Sequence, residues 1–424
     1  MARSAPIDAA LLMSGQACGA KSPASVSLSP GAVVRPPRLL IVTGEASGDL
    51  QGACLVQSLW KVHRALDIAA VGGERMRAAG VRIVEDSSLW GFIGFWDAII
   101  RLPQLYGIYR RLCRAVLQEC PDILVLIDCP GFNMRLATYA RSLGIPTVYY
   151  FPPSAWTRNE ERVRHIAARV DHVVAAFSYT DRIFRKAGCP ISYFGHPLVD
   201  VVRPRASLEE VRERLGIRAN CRVIGLLPGS RRAEIMRMGP VLLEAARILT
   251  RELPDLHFLL PVASPALAGL VEHTVARHAA GLSLTVVEGG ASDVMSCSEL
   301  LVMTSGSASL EAVIHETPMI LVYRLARPDW WLAHLVLSDF TYMGLPNLIL
   351  GDRVVPELLQ DDANPVRVAQ EALGLLTDAT RYRKMKDNLL EVKKQLGEPG
   401  VVDRVAQYIW ETISNGPGRG HHNE

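Results

Sequence analysis

The chain has 424 residues, 49% of them hydrophobic and 21% charged, enough to bury a sizeable core and too many for one ordinary domain. Lys plus Arg number 46 against 43 Asp plus Glu, a net charge of +3, so no general basic character points to nucleic acid and an anionic partner must be met locally. No apolar run reaches the roughly 18–20 residues that cross a bilayer, and the N-terminus lacks the charged-then-apolar order of a secretory signal; a soluble or peripheral protein is expected.

Residues 1–36, rich in Ala, Ser, Gly and Pro without periodicity, read as a disordered extension. Short apolar runs then alternate with amphipathic stretches of helix length: Leu39–Val42, Ile68–Val71, Ile123–Ile127, Thr147–Phe151 and His172–Ala176. A second series follows Gly195-His196-Pro197, with Val223–Leu227, Leu256–Pro261, Leu284–Val287, Leu300–Met303 and Met319–Val322. Strands alternating with helices predict parallel βαβ units in an α/β fold, here two Rossmann-like domains, 37–200 and 201–395. After the break at Glu398-Pro399-Gly400, Val402, Val405, Ile409 and Ile413 share one stripe of a helix within 396–413, and 414–424 reads as a loose tail.

The eight cysteines (Cys18, Cys54, Cys113, Cys120, Cys129, Cys189, Cys221, Cys297) are scattered without a C-x-x-C pair, which fits a reducing cytoplasm and offers no zinc site. No G-x-G-x-x-G follows a strand and no Walker loop is present, so a nicotinamide or P-loop site has no support. The absence of D-x-D argues against a metal-clamped diphosphate, and the absence of G-x-S-x-G against an esterase. Neither a cofactor nor a metal is expected.

Four turns carry the candidate chemistry. After the strand that opens the second half, Gly229, Ser230 and Arg231 place backbone N–H groups and a guanidinium fork at a helix start, which suits a diphosphate; an ordinary strand-to-helix turn explains the spacing equally well. Ser305, Gly306, Ser307 and Ser309 form a second such turn, with Glu311 one helical turn in, where it can accept both hydroxyls of a ribose. A Ser N-cap completed by Glu311 is the competing reading. In the first half, Asp128 ends the apolar run Leu124–Ile127, at the strand end where open α/β sheets bind substrate, and is the best candidate general base; it also fits a plain turn. Glu45, Ser47 and Asp49, between Gly44 and Gly48, offer groups for substrate hydroxyls in a cleft, or cap the first helix. His196 and His315 read as structural.

Two stretches combine apolar and basic character. From Arg101 to Gln118 an apolar stripe (Leu105, Tyr109, Leu112, Val116) opposes Arg110, Arg111 and Arg114, with Trp96 just before it, and Trp330 and Trp331 lie in a second apolar stretch. Both suit an anionic lipid surface, and both equally suit packing on the protein's own sheet.

Taken in order, GEASGD (44–49), GGERMRAAG (72–80), IDCPGFNMRLA (127–137), FGHPLVD (194–200), LLPGSRRAEI (226–235), TSGSASLEA (304–312) and LPNLILGDRVVPELLQ (345–360) resemble the lipid-A-disaccharide synthase family from about residue 38 to 410. The resemblance implies a GT-B type glycosyltransferase, its two parallel sheets facing a cleft, that is inverting and metal-independent. Its substrates would be UDP-2,3-diacylglucosamine and 2,3-diacylglucosamine 1-phosphate, its products UDP and the β-1,6-linked disaccharide 1-phosphate, and its place the inner face of the bacterial cytoplasmic membrane. Asp128 then matches the family's general base, Arg231 its diphosphate loop, Glu311 its ribose acid and Asn347 a polar residue of the donor site. A C-terminal helix returning to the first domain is also implied, and an oligomer is compatible with it. The stretch Pro152 to Asn159 departs from the family's Ser-Pro-x-x-Trp-Ala-Trp-Arg pattern, keeping only its first Trp as Trp156. The alternatives are a UDP-N-acetylglucosamine epimerase of the same architecture and a catalytically silent UDP-sugar or membrane-binding module.

Overall fold

The structure, a computed structural model, describes residues 35–44, 46–87, 90, 102–152, 160–202, 208–218, 221–325 and 342–415. It divides into two compact units: one is formed by the chain up to Pro197 together with Gly400 onwards, the other by Leu198–Pro399. Each unit is an α/β layer structure on one parallel sheet, the expected fold class.

In the first unit the strands are β1 (Arg38–Thr43), β2 (Asp67–Gly72), β3 (Arg82–Asp86), β4 (Ile123–Ile127), β5 (Thr147–Tyr150), β6 (His172–Ala175) and β7 (Ile191–Tyr193). Their spatial order is β3-β2-β1-β4-β5-β6-β7. The second unit contributes β8 (Arg222–Leu227), β9 (Leu256–Val262), β10 (Leu284–Glu288), β11 (Leu300–Thr304), β12 (Met319–Tyr323) and β13 (Glu357–Leu359), in the order β10-β9-β8-β11-β12-β13. All ten expected strands form, while β3, β7 and β13 were not anticipated. Each lies at a sheet edge, and β7 and β13 have three residues apiece, too short for a hydrophobic period to show. The central strands read as unbroken apolar runs because helices cover both faces: Ile123 to Ile127 are at most 1% exposed.

The N-terminal edges of both sheets are stapled by ion pairs. Arg82 at the start of β3 holds Glu119 through two bonds of 2.6 and 2.8 Å, and Arg222 at the start of β8 does the same with Glu299, at 2.6 and 2.8 Å. Such partly exposed pairs contribute little each, so their effect is to fix geometry at the edge opposite the candidate sites. Helix Leu102–Glu119 turns Ile108, Leu112, Cys113 and Val116 into the core beneath the first sheet, so its apolar stripe packs on the protein itself.

Helix Val401–Asn415 belongs to the first unit and packs along helix Ala46–Val62. Val402, Val405 and Ile409 are buried; Trp410 stacks on His63 with ring centroids 4.2 Å apart, and Arg404 donates to the Phe194 carbonyl at 3.0 Å.

His196 is buried between two aromatic rings, Phe151 at 5.6 Å and Phe177 at 5.3 Å. Burial disfavours its charged form and pushes its pKa down to about 3. Since the unfolded chain takes up that proton near pH 6.5, the contribution of neutral His196 is complete above that pH and is lost progressively as pH falls toward 3. His196→Phe is therefore expected to gain about 2 kcal/mol relative to the unmodified protein between pH 7.5 and pH 5.0 in urea unfolding; a stability difference that does not change with pH would show that this ring is not the titrating group.

Candidate functional site

Each sheet has its topological switch point between two parallel neighbours from which the strand order proceeds to opposite sides, β1 and β4 in the first unit and β8 and β11 in the second. Open α/β sheets bind ligands beyond the carboxyl ends of the strands at such points.

In the first unit Thr43 pairs in register with Ile127, so the residue that follows, Asp128, sits at the switch point, half-buried. Asp128 and Cys129 have φ of 50° and 39°, two consecutive non-glycine residues in the left-handed region, at a cost of about 1–3 kcal/mol each. The Asp128 carbonyl accepts from the Tyr149 hydroxyl at 2.8 Å and from Asn133 Nδ2 at 2.8 Å. Burial first, then the nearby Asp128, raises the Tyr149 phenol well above its ordinary range, so it remains a donor at neutral pH. Gly48 belongs to the same corner: a Cβ there would overlap the Thr43 hydroxyl and lie 3.3 Å from Asp128 Oδ2. Only glycine lets the first turn of helix Ala46–Val62 come this close. Ser47 is exposed at that turn, whereas Glu45 lies outside the described residues.

Asp49 is corrected. It is 6% exposed, and its carboxylate accepts from the backbone amides of Gly73 at 2.6 Å, Arg75 at 2.9 Å and Met76 at 3.4 Å. It caps helix Glu74–Ala78 from across the fold, in place of the side chain that Gly73 lacks, and is not available to a substrate hydroxyl. This also accounts for the Gly72-Gly73 pair, since a Cβ on Gly73 would meet Asp49 Oδ2 at 2.9 Å.

In the second unit Gly229 has φ of 119°, and a Cβ on it would collide with Glu234. The turn leads into helix Arg232–Glu252, as expected for an anion-binding corner. Its backbone amides, however, are already engaged: Glu234 accepts from Ser230 N at 3.0 Å and Arg231 N at 3.2 Å. These two N–H groups are therefore spent within the protein and are not the anion donors expected of them. The Arg231 guanidinium, 59% exposed, is steered by Glu234 at 3.5 Å and keeps donors for an oxyanion.

After β11, Gly306 and Ser307 are exposed, and open space lies over Gly306. Ser307 is the N-cap residue of helix Ala308–Ile314, but its side chain makes no capping bond. Glu311 stands half-buried in the first turn. Ser305 donates to the Met343 carbonyl at 3.4 Å. Ser309 is corrected: it is 0% exposed and its hydroxyl is spent on the Gly306 carbonyl at 2.7 Å, so it shapes the turn instead of meeting a ligand.

Asn347 is corrected in the same sense. It is 0% exposed; Oδ1 accepts from Val354 N at 2.7 Å and Val355 N at 2.8 Å, while Nδ2 donates to the Val355 carbonyl at 2.9 Å and to Glu357 Oε1 at 2.6 Å. Both donors and both acceptor positions are thus used within the protein. Its partner Glu357 escaped the sequence reading. Its carboxylate also accepts from the amides of Met343 at 2.9 Å and Gly344 at 3.0 Å, which ties Asn347 through Met343 to Ser305. The available signal was a Glu inside the apolar stretch Val354–Leu359, a charged residue in strand β13 that needs a partner.

Arg110, Arg111 and Arg114 are exposed, but Arg111 is held by Glu85 at 2.8–3.0 Å and is not a free surface charge. Trp96, Trp330 and Trp331 lie outside the described residues. Among the described residues no group of three or more His, Cys, Asp or Glu side chains is placed to hold a metal ion, and no helix is long and apolar enough to cross a membrane.

Against protein-family models, residues 39–409 match Lipid-A-disaccharide synthetase. The chain is 37% identical over 376 residues to the lipid-A-disaccharide synthase of Geobacter sulfurreducens, covering 89% of this chain and 97% of that one. It is 35% identical over 387 residues to the synthase of Myxococcus xanthus, covering 91% and 100%. Among solved structures it resembles a UDP-GlcNAc 2-epimerase from Neisseria meningitidis bound to UDP-GlcNAc, with a TM-score of 0.63, 13% identity and coverage of 89% and 100%. A glycosyltransferase from Rickettsia africae gives a TM-score of 0.54 at 13% identity, with coverage of 90% and 100%. At such identities these structures establish the two-Rossmann GT-B fold and nothing about chemistry.

Proposed function

The chain belongs to the lipid-A-disaccharide synthase family and is a glycosyltransferase of lipid A biosynthesis; from that premise we propose that it joins UDP-2,3-diacylglucosamine to 2,3-diacylglucosamine 1-phosphate by an inverting, metal-independent displacement. The observation that carries the reading is the carboxylate of Asp128, half-buried on a strained corner at the switch point of the first sheet. Asp128 takes the proton of the acceptor 6-hydroxyl while that oxygen attacks the donor anomeric carbon. The new C–O bond forms as the bond to the diphosphate breaks, UDP leaves with the electron pair, and one such displacement inverts the anomeric centre. The proton then passes from Asp128 to solvent.

The second unit holds the donor. Arg231 meets the diphosphate, whose charge grows as it departs, with the hydroxyl of Ser230 and the exposed backbone at Gly306 and Ser307 beside it; Ser305 shapes that turn and Glu311 accepts from the ribose. A guanidinium aimed at the leaving group supplies the charge stabilisation that a metal ion gives elsewhere. Both substrates carry acyl chains that stay in a bilayer, so the enzyme works peripherally at the inner face of the cytoplasmic membrane. The exposed Arg110 and Arg114 support attraction to anionic lipid.

Incubating the enzyme with the two acylated sugars tests this. The expected products are UDP and a β-1,6-linked disaccharide 1-phosphate, formed at the same rate with and without EDTA; an epimerised UDP-sugar, an α-linkage or a chelator-sensitive rate would each overturn the corresponding part. Arg231→Ala is expected to weaken UDP binding about 10–100-fold, the scale of a lost charge-assisted contact.

A further inference from the structure

We propose that Tyr149 and Asn133 are positioning residues that aim the Asp128 carboxylate by clamping the peptide bond behind it. The inference deepens the reading of Asp128 as the base and rests on it. Asp128 and Cys129 occupy the left-handed region in succession, a conformation that L-residues rarely adopt and that persists only where neighbours over-determine it. Two side chains from different elements do so here. Tyr149 lies on β5, whose register pairs it with Leu126 on β4, and its hydroxyl reaches the Asp128 carbonyl at 2.8 Å. Asn133 lies in the first turn of helix Pro130–Ser142, and its Nδ2 bridges the carbonyls of Ile127 at 2.9 Å and Asp128 at 2.8 Å.

Both side chains are 0% exposed, so neither is present for solubility. At a fully buried strand position a Phe would fill the same volume as Tyr149, and what the phenol adds is the donor that reaches Asp128. Asn133 carries a further cost, since its Oδ1 is buried with no hydrogen-bond partner among the described residues. A side chain that served packing alone gains nothing from that atom, whereas an amide is needed to donate two hydrogen bonds from one nitrogen to consecutive carbonyls. Fixing that carbonyl fixes the plane of the Asp128–Cys129 peptide and with it the direction of the Asp128 Cα–Cβ bond. Loosening it lets the corner relax toward ordinary backbone geometry and swings the carboxylate off the acceptor hydroxyl.

The full-length enzyme, assayed with both substrates in detergent micelles, decides the matter. Tyr149→Phe, which removes one oxygen, is expected to lower kcat about 10–100-fold while KM for both sugars and the affinity for UDP stay within about twofold, because misplacement by about 1 Å suffices for such a loss. Asn133→Ser is expected to do the same, and its thermal midpoint, read alongside, provides the second measurement. A kcat within about twofold of the unmodified enzyme in Tyr149→Phe would overturn the proposal, and so would a fall matched by equal losses in UDP affinity and folded fraction, which would mark a general structural role. Asp128→Asn run in parallel separates the two levels. If it turns over normally, the base assignment itself is wrong; if it is slow while Tyr149→Phe and Asn133→Ser are fully active, only the positioning inference falls.

Discussion

Replacing Asp128 by Asn is expected to lower kcat by about 10²–10⁴-fold, the range a positioned general base contributes, and to leave UDP affinity and the unfolding midpoint unchanged. The substitution exchanges an acceptor oxygen for an amide of the same size, and the interactions that hold the corner involve the Asp128 main-chain carbonyl, which Asn retains. Asn also tolerates the left-handed region at least as well as Asp, so the φ of 50° adds no strain. What disappears is the capacity to take the proton of the attacking hydroxyl. The residual rate then measures what donor binding and stabilisation of the departing UDP achieve unaided. Steady-state assays with both acylated sugars, paired with calorimetric titration of UDP, check this. Turnover within a few-fold of the unmodified enzyme would remove Asp128 from the chemistry.

The two switch-point corners are legible in the sequence because their signal is local. A continuous apolar run such as Leu124–Ile127, ending in Asp and Pro, or Val223–Leu227, ending in Pro-Gly-Ser-Arg, states a buried parallel strand and a sharp turn within ten residues. Whether a polar side chain at such a corner faces a ligand or serves the fold is a different matter, decided by atoms far along the chain. Asp49 caps a helix that starts 25 residues later, and no spacing rule connects it to the amide of Gly73. Ser309 and Ser307 are two residues apart in the same small-residue turn, yet one is spent on a carbonyl and the other is exposed. Glu234 belongs to the motif LLPGSRRAEI, and its carboxylate occupies the two amides that the motif's turn would otherwise offer to phosphate. Residue type and turn geometry thus identify the neighbourhood of the chemistry, and long-range hydrogen bonding divides that neighbourhood between folding and binding.

Asn347 shows how that division can be measured. Asn347→Ala is expected to cost about 3–5 kcal/mol of stability in urea unfolding, because it leaves the amides of Val354 and Val355, the Val355 carbonyl and one Glu357 oxygen short of a buried partner, each such loss costing about 1–3 kcal/mol before local relaxation. UDP affinity should fall with it, since the path from Asn347 through Glu357 to the Met343 amide ends at Ser305, whose hydroxyl rests on the Met343 carbonyl. A residue that touched the donor directly would behave otherwise, with affinity lost at constant stability. Asn347→Asp sharpens the contrast. It keeps the acceptor for Val354 and Val355, but it sets a second carboxylate oxygen against Glu357, only 2.6 Å from the nitrogen it replaces, and so is expected to destabilise the protein even though a ligand-facing Asp would be tolerated by the fold. Unfolding curves for Asn347→Asp that superimpose on those of the unmodified protein, together with a loss of UDP binding, would return Asn347 to the donor site.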